Sequence, residues 1–234
     1  MSLYLSLLLI SVTIPLALSF DRKVGFYRQW KTLFPSIIIV GSVYITADIF
    51  FVKAGIWGFN NVYLSKITLL GLPVEEWLFF VLIPYSCIFI HYVFISYFPE
   101  LFLSDFFVRV FSVILVIIIL TIIVLNYDKT YTFFNFILLI IAVLLALFDR
   151  DRLLNRYYIT FLIMLIPFFF VNSILTGTFI NGEVVWYKNS ETLGIRLLTI
   201  PVEDIGYAFS LILLNLQIMS WLQKVNKSSR KKNQ

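Results

Sequence analysis

Seven long stretches, each apolar almost throughout, constrain this chain more than any other feature. They are Leu3–Ser19, Leu33–Val52, Trp77–Phe98, Phe107–Leu125, Thr132–Phe148, Tyr158–Leu175 and Ile200–Leu222. About 20 apolar residues in a helix cross a bilayer's hydrocarbon core. Barrel strands would instead alternate polar and apolar residues over about ten positions. Backbone groups in lipid must bond within their own segment, so these runs read as helices. Only 13% of the 234 residues are charged and 61% are hydrophobic, too few charges to cover a water-facing surface. The expected fold is therefore all-α: a polytopic membrane bundle of seven transmembrane helices.

Charge orients the bundle. Eight basic residues lie in the loops after helices 1, 3 and 5 (Arg22, Lys23, Arg28, Lys31, Arg109, Arg150, Arg152, Arg156), and five more in the C-terminal tail (Lys224, Lys227, Arg230, Lys231, Lys232). The alternate loops hold only Lys53, Lys66, Lys129, Lys188 and Arg196. The positive-inside rule then puts the N-terminus outside and the C-terminus in the cytoplasm. The first run is read as a retained helix, because its basic residues follow it rather than precede it. The basic tail reads as a topology anchor with affinity for anionic lipid, not as a nucleic-acid site.

An internal repeat divides the chain. Gly55-Ile-Trp57-Gly-Phe-Asn60 leads to Gly71-Leu-Pro73-Val-Glu75-Glu76; Val184-Val-Trp186-Tyr-Lys-Asn189 leads to Ile200-Pro201-Val-Glu203-Asp204. Pro73 and Pro201 set the offset between the copies, 128 in residue number, and the tryptophan-to-proline spacing is 16 in one copy and 15 in the other. Both motifs open helices that run inward, so the repeats are parallel, related by an axis along the membrane normal. Residues 1–98 form the first three-helix repeat, 99–130 a linker carrying helix 4, and 131–234 the second repeat with the tail.

Pro followed by acids is also an ordinary helix start, since Pro suits the first helical position and carboxylates suit the positive end of the dipole. Two copies on apolar helices favour function, because carboxylates in a membrane are expensive. Neighbouring residues point about 100° apart. Glu75 and Glu203 are expected to face the bundle, with Glu76 and Asp204 orienting them. Asp48 and Asn172, at the ends of helices 2 and 6, are placed to approach the motifs. Trp57 and Trp186 either belong to the interfacial belt or cap the site. An aromatic face of Trp77, Phe79, Phe80, Tyr85, Tyr207 and Phe209 lies below the acids, suited to holding a carbocation. The lone His91 lies 16 residues after Glu75, about 24 Å down a helix and off the site. No dinucleotide fingerprint or P-loop occurs, and no His/Cys cluster suits a metal. Helix 7 has no lysine for a retinal Schiff base.

LPVEEWLFF (72–80) and IPVEDIGYAF (200–209), with GIWGFN (55–60), NSILTG (172–177) and VVWYKN (184–189), resemble the membrane lycopene cyclase domain family. The resemblance spans roughly 40–98 and 155–222 and has the form of a fused, single-chain cyclase. It implies lycopene β-cyclase activity, an isomerisation without cofactor or metal that converts the ψ-ends of lycopene to β-ionone rings. Glu75, Glu76, Glu203 and Asp204 are the motif acids. Asp48, Trp57, Asn60, Trp77, Phe79, Phe80, Asn172, Thr176, Trp186 and Tyr207 are the expected substrate contacts. Lycopene and other carotenoids, membrane lipid and other enzymes of the pathway are the expected partners, and nucleic acid is not. A proton-coupled transporter or a non-catalytic carotenoid-binding subunit is the alternative reading.

Overall fold

A computed structural model of the chain describes residues 1–149 and 152–232, without the side chains of 229–232. Arg150 and Asp151, and the side chains of Arg230, Lys231 and Lys232, therefore lie outside the described residues. Among the described residues, seven α-helices make up the bundle: α1 Leu3–Leu18, α2 Trp30–Lys53, α3 Val74–Tyr97, α4 Asp105–Leu125, α5 Thr130–Phe148, α6 Leu154–Leu175 and α7 Glu203–Lys232. Six are long and apolar enough to cross a membrane. The first has 16 residues, about 24 Å, short of a full span. Of these six, α4 has the highest mean hydropathy and the smallest buried share, as a helix lying largely against lipid should.

The helix ends sort into two levels. Ser2 bonds Glu75, Thr130 bonds Glu191, and residues 57–59 pair with 185–187, so the acid motifs and their loops share one end. At the other end Leu103 bonds Asn155, Arg156 reaches Pro99, and Gln223 reaches Gln29.

Polar and small residues join the helices where lipid offers no hydrophobic drive. The Ser36 hydroxyl donates to Asn215 and the Tyr44 hydroxyl to Ser210, at 3.1 and 2.7 Å, tying α2 to α7. A Cβ on Gly206 would lie 3.3 Å from the Phe136 ring, so glycine lets α7 approach α5 closely.

The loops of the acid end hold the only strands among the described residues: β1 Trp57–Phe59, β2 Thr68–Leu69, β3 Leu72–Pro73, β4 Val185–Tyr187, β5 Arg196–Leu197 and β6 Ile200–Pro201. Each strand, and each intervening short helix, recurs at the offset that separates the two prolines: 57–59 at 185–187, 61–63 at 189–191, 68–69 at 196–197, and 72–73 at 200–201. This register corrects the tryptophan pairing. Trp57 matches Val185, and Trp186 matches Gly58. The unequal spacing to proline, 16 against 15, is the trace of that one-residue slip.

β1 and β4 pair antiparallel across the two halves, with Gly58 opposite Trp186 at the centre. A Cβ on Gly58 would lie 2.6 Å from the Trp186 ring, so only glycine admits the indole there. The prolines also sit differently from a standard helix start. Pro73 is extended (φ −64°, ψ 148°) and precedes α3 from within a β2–β3 hairpin; Pro201 lies in the matching β5–β6 hairpin. The next amides close these hairpins, Val74 to Ile67 and Val202 to Ile195.

Candidate active site

The hairpins fix the rotation of α3 and α7, and so decide where each acid points. Glu75 Oε1 accepts the Ser65 amide at 2.6 Å and the Ser2 hydroxyl at 2.6 Å. Glu203 Oε1 accepts the Leu193 amide at 2.6 Å and the Thr132 hydroxyl at 2.6 Å. Ser65 and Leu193 are themselves counterparts under the repeat offset. The first acid of each pair thus binds its own loop and the start of a neighbouring helix. Both are fully buried, and neither lines the cavity that their neighbours share.

The second acids turn inward instead, the reverse of the expected facing. Glu76 and Asp204 line one cavity of about 440 Å³ bounded by α1, α3, α6 and α7, within the range of small-molecule sites. Glu76 Oε2 accepts from the Tyr4 hydroxyl at 2.7 Å. Asp204 Oδ1 accepts from Tyr131 at 2.7 Å and Oδ2 from Tyr187 at 2.9 Å. Asp48, the third carboxyl on the wall, accepts from Tyr207 at 3.1 Å, and its Oδ1 is buried with no partner. Burial first, and the Asp204 carboxylate second, push the Tyr187 phenol well above its ordinary range, so it stays a proton-bearing donor.

The cavity is a trough with its carboxyl groups at one end. Down α3 it meets Glu76, Phe79, Ile83, Cys87 and Ile90, one helical face about 21 Å long. Leu7 and Pro15 of α1, Phe161 and Met164 of α6, and Leu211 and Ile212 of α7 complete the apolar part. Trp57, Phe79 and Tyr207 bring aromatic rings close to the acids, and the Trp57 indole nitrogen is buried without a partner.

Of the other expected contacts, Asn172 and Thr176 line the trough and four do not. Asn60 caps the 61–63 turn by accepting the Val62 amide at 3.1 Å. Trp77 donates to the Leu69 carbonyl at 3.1 Å, bracing the β2–β3 hairpin. Phe80 is buried between Tyr44 and Tyr207. Trp186 covers Gly58 from outside. Among the remaining aromatic candidates, Tyr85 meets the Ser19 hydroxyl, and Phe209 packs on Tyr157 and Phe161. His91 is off the trough as expected, paired with Thr160 at 2.8 Å.

Tyr4, Tyr131 and Tyr187 escaped the sequence reading. Tyr4 and Tyr131 stand in the first turns of helices 1 and 5, at the membrane level of the acids; this shared level was the available signal. No group of three or more His, Cys, Asp or Glu among the described residues is arranged to hold a metal.

A family model described as lycopene cyclase matches residues 1–95 and 128–222. The unmatched interval contains α4. No curated protein and no solved structure matches the chain.

Proposed function

Because the chain belongs to the lycopene cyclase family, we propose that it closes the ψ-ends of lycopene to β-ionone rings by acid–base catalysis, giving γ-carotene and then β-carotene. One observation carries this reading: Glu76 and Asp204 stand together at the head of one apolar trough, each held by tyrosine hydroxyls. A carboxylic acid delivers a proton to C2 of the terminal double bond, leaving a cation at C1. The C5–C6 double bond attacks it, forming the C1–C6 bond and moving the cation to C5. A carboxylate removes the proton from C6, and the C5–C6 double bond re-forms. One proton is gained and one lost, so the product is an isomer and no electrons leave.

The rest of the trough serves that cation. The ring faces of Trp57, Phe79 and Tyr207 favour positive charge, and apolar walls keep away water that would trap it. Asp48, with one oxygen unpartnered, is the third group able to exchange a proton at the site. Expressed in a lycopene-accumulating bacterium, the chain is expected to turn red lycopene to yellow β-carotene through γ-carotene. Lycopene bound but unchanged would mark a binding subunit; neither binding nor product would favour a transporter.

The chain is read as two parallel three-helix repeats joined by the α4 linker, lying in the bacterial cytoplasmic membrane with the acid end outside and its basic end against anionic cytoplasmic lipid. The thirteen-to-five division of Lys and Arg supports this orientation. Reporter fusions at residues 62 and 190 should report an outside location, and those at 30, 153 and the C-terminus an inside one. An outside C-terminus would reverse the orientation.

A further inference from the structure

Along the membrane-crossing part of the trough, the lining residues are buried or half-buried with three exceptions: Ile10 on α1, and Pro167 and Phe170 on α6. Ile10 is 68% exposed and Phe170 65% exposed. α6 is long enough to cross the apolar layer and α1 packs along the same bundle within it, so a wall residue exposed there faces lipid. The trough therefore opens sideways, between α1 and α6.

The matching place in the other half is shut. There Phe51 of α2 packs edge-on against Tyr131 and Phe134 of α5, with ring centres 5.7 and 5.1 Å apart. The repeat offset carries Phe51 to Phe179, which is 89% exposed in a turn beyond α6. α2 runs to Lys53, whose counterpart is residue 181, but α6 stops six residues earlier at Leu175. Early termination of α6 removes the plug that closes the α2–α5 side. Pro15 and Pro167 each interrupt the hydrogen-bond ladder of a helix flanking the gap, and both line the trough, which leaves those helices easier to bend.

We propose that the α1–α6 gap is the portal through which one end of a long apolar polyene slides from the hydrocarbon core of the membrane toward the acids, with Ile10 and Phe170 as its rim. This rests on the cyclase reading for the identity of the polyene. The rest of the substrate stays in lipid, so each binding event presents a single end to the carboxyl groups.

The test uses the purified full chain in lipid nanodiscs, with lycopene supplied from vesicles. Association is read from the circular dichroism that a chiral pocket induces in the polyene's visible bands, and turnover from lycopene consumption. In the double variant Ile10→Trp/Phe170→Trp, both rates are expected to fall at least about tenfold, as for a narrowed gate. The control Phe50→Trp/Phe133→Trp places the same two indoles at lipid-facing positions on the closed side, and should stay within about twofold of the native chain. Phe170→Ala, which widens the rim, should speed association. Equal slowing by both tryptophan pairs, native rates in the rim pair, or slower association in Phe170→Ala would each overturn the portal. No induced signal in the native chain would overturn it as well. Rim-dependent association without cyclised product would sink the cyclase reading and leave the portal standing.

Discussion

Glu76→Gln and Asp204→Asn are each expected to lower lycopene cyclisation at least about a hundredfold, the low end of what a general acid or base contributes. The amides keep the shape of the side chains, and their oxygens still accept from Tyr4, or from Tyr131 or Tyr187. What they lose is the proton that the carboxyl group carries. Glu75→Gln and Glu203→Gln should keep activity within about tenfold, because an amide oxygen can still take the loop amide and the hydroxyl that these acids bind. Product yield per unit of membrane-inserted protein separates the two pairs. Cyclisation by Glu76→Gln at near-native yield would move the proton transfer elsewhere.

Replacing the same loop-binding acids with leucine should act on stability. In Glu75→Leu the Ser65 amide and the Ser2 hydroxyl lose their partner; in Glu203→Leu the Leu193 amide and the Thr132 hydroxyl do. A buried donor left without its partner costs about 1–3 kcal/mol, so with two such donors each variant should lose about 2–6 kcal/mol. Thermal unfolding in nanodiscs should show that loss, and proteolysis should reach residues 64–73 or 192–201 sooner. Leucine variants with native unfolding would show that these acids do not tether the hairpins. With these outcomes the two series would assign the first acid of each motif to architecture and the second to chemistry.

The helix positions and the doubled acid motif were legible because membrane helices need long apolar runs, and because carboxylates on such runs stand out. The facing of the acids was not. Glu75 and Glu76 differ by one step of about 100°, and the phase of α3 is set by an amide ten residues upstream, at Ser65, that no helical periodicity reveals. Tyr4 and Tyr131 lie 72 and 73 residues from the acids they bind, beyond any local pattern. Trp57 and Trp186 misled for a chemical reason: two indoles invite alignment, whereas the constant repeat offset pairs each with a residue of another kind. The repeats also suggested two equal halves. Helix α6 ends early, and Asp48 has Thr176 at its matching position, so a near-symmetric frame holds an asymmetric trough.

In the proposed mechanism, carboxyl protons of the trough enter the product. Cyclisation in D2O, with the full chain in membranes and unlabelled lycopene, tests it most directly by mass spectrometry. A carboxyl that exchanges with solvent should leave one deuterium per ring, on the ring carbon derived from C2, giving one in γ-carotene and two in β-carotene. Cyclised product without deuterium, or with label at other carbons only, would contradict protonation by these acids.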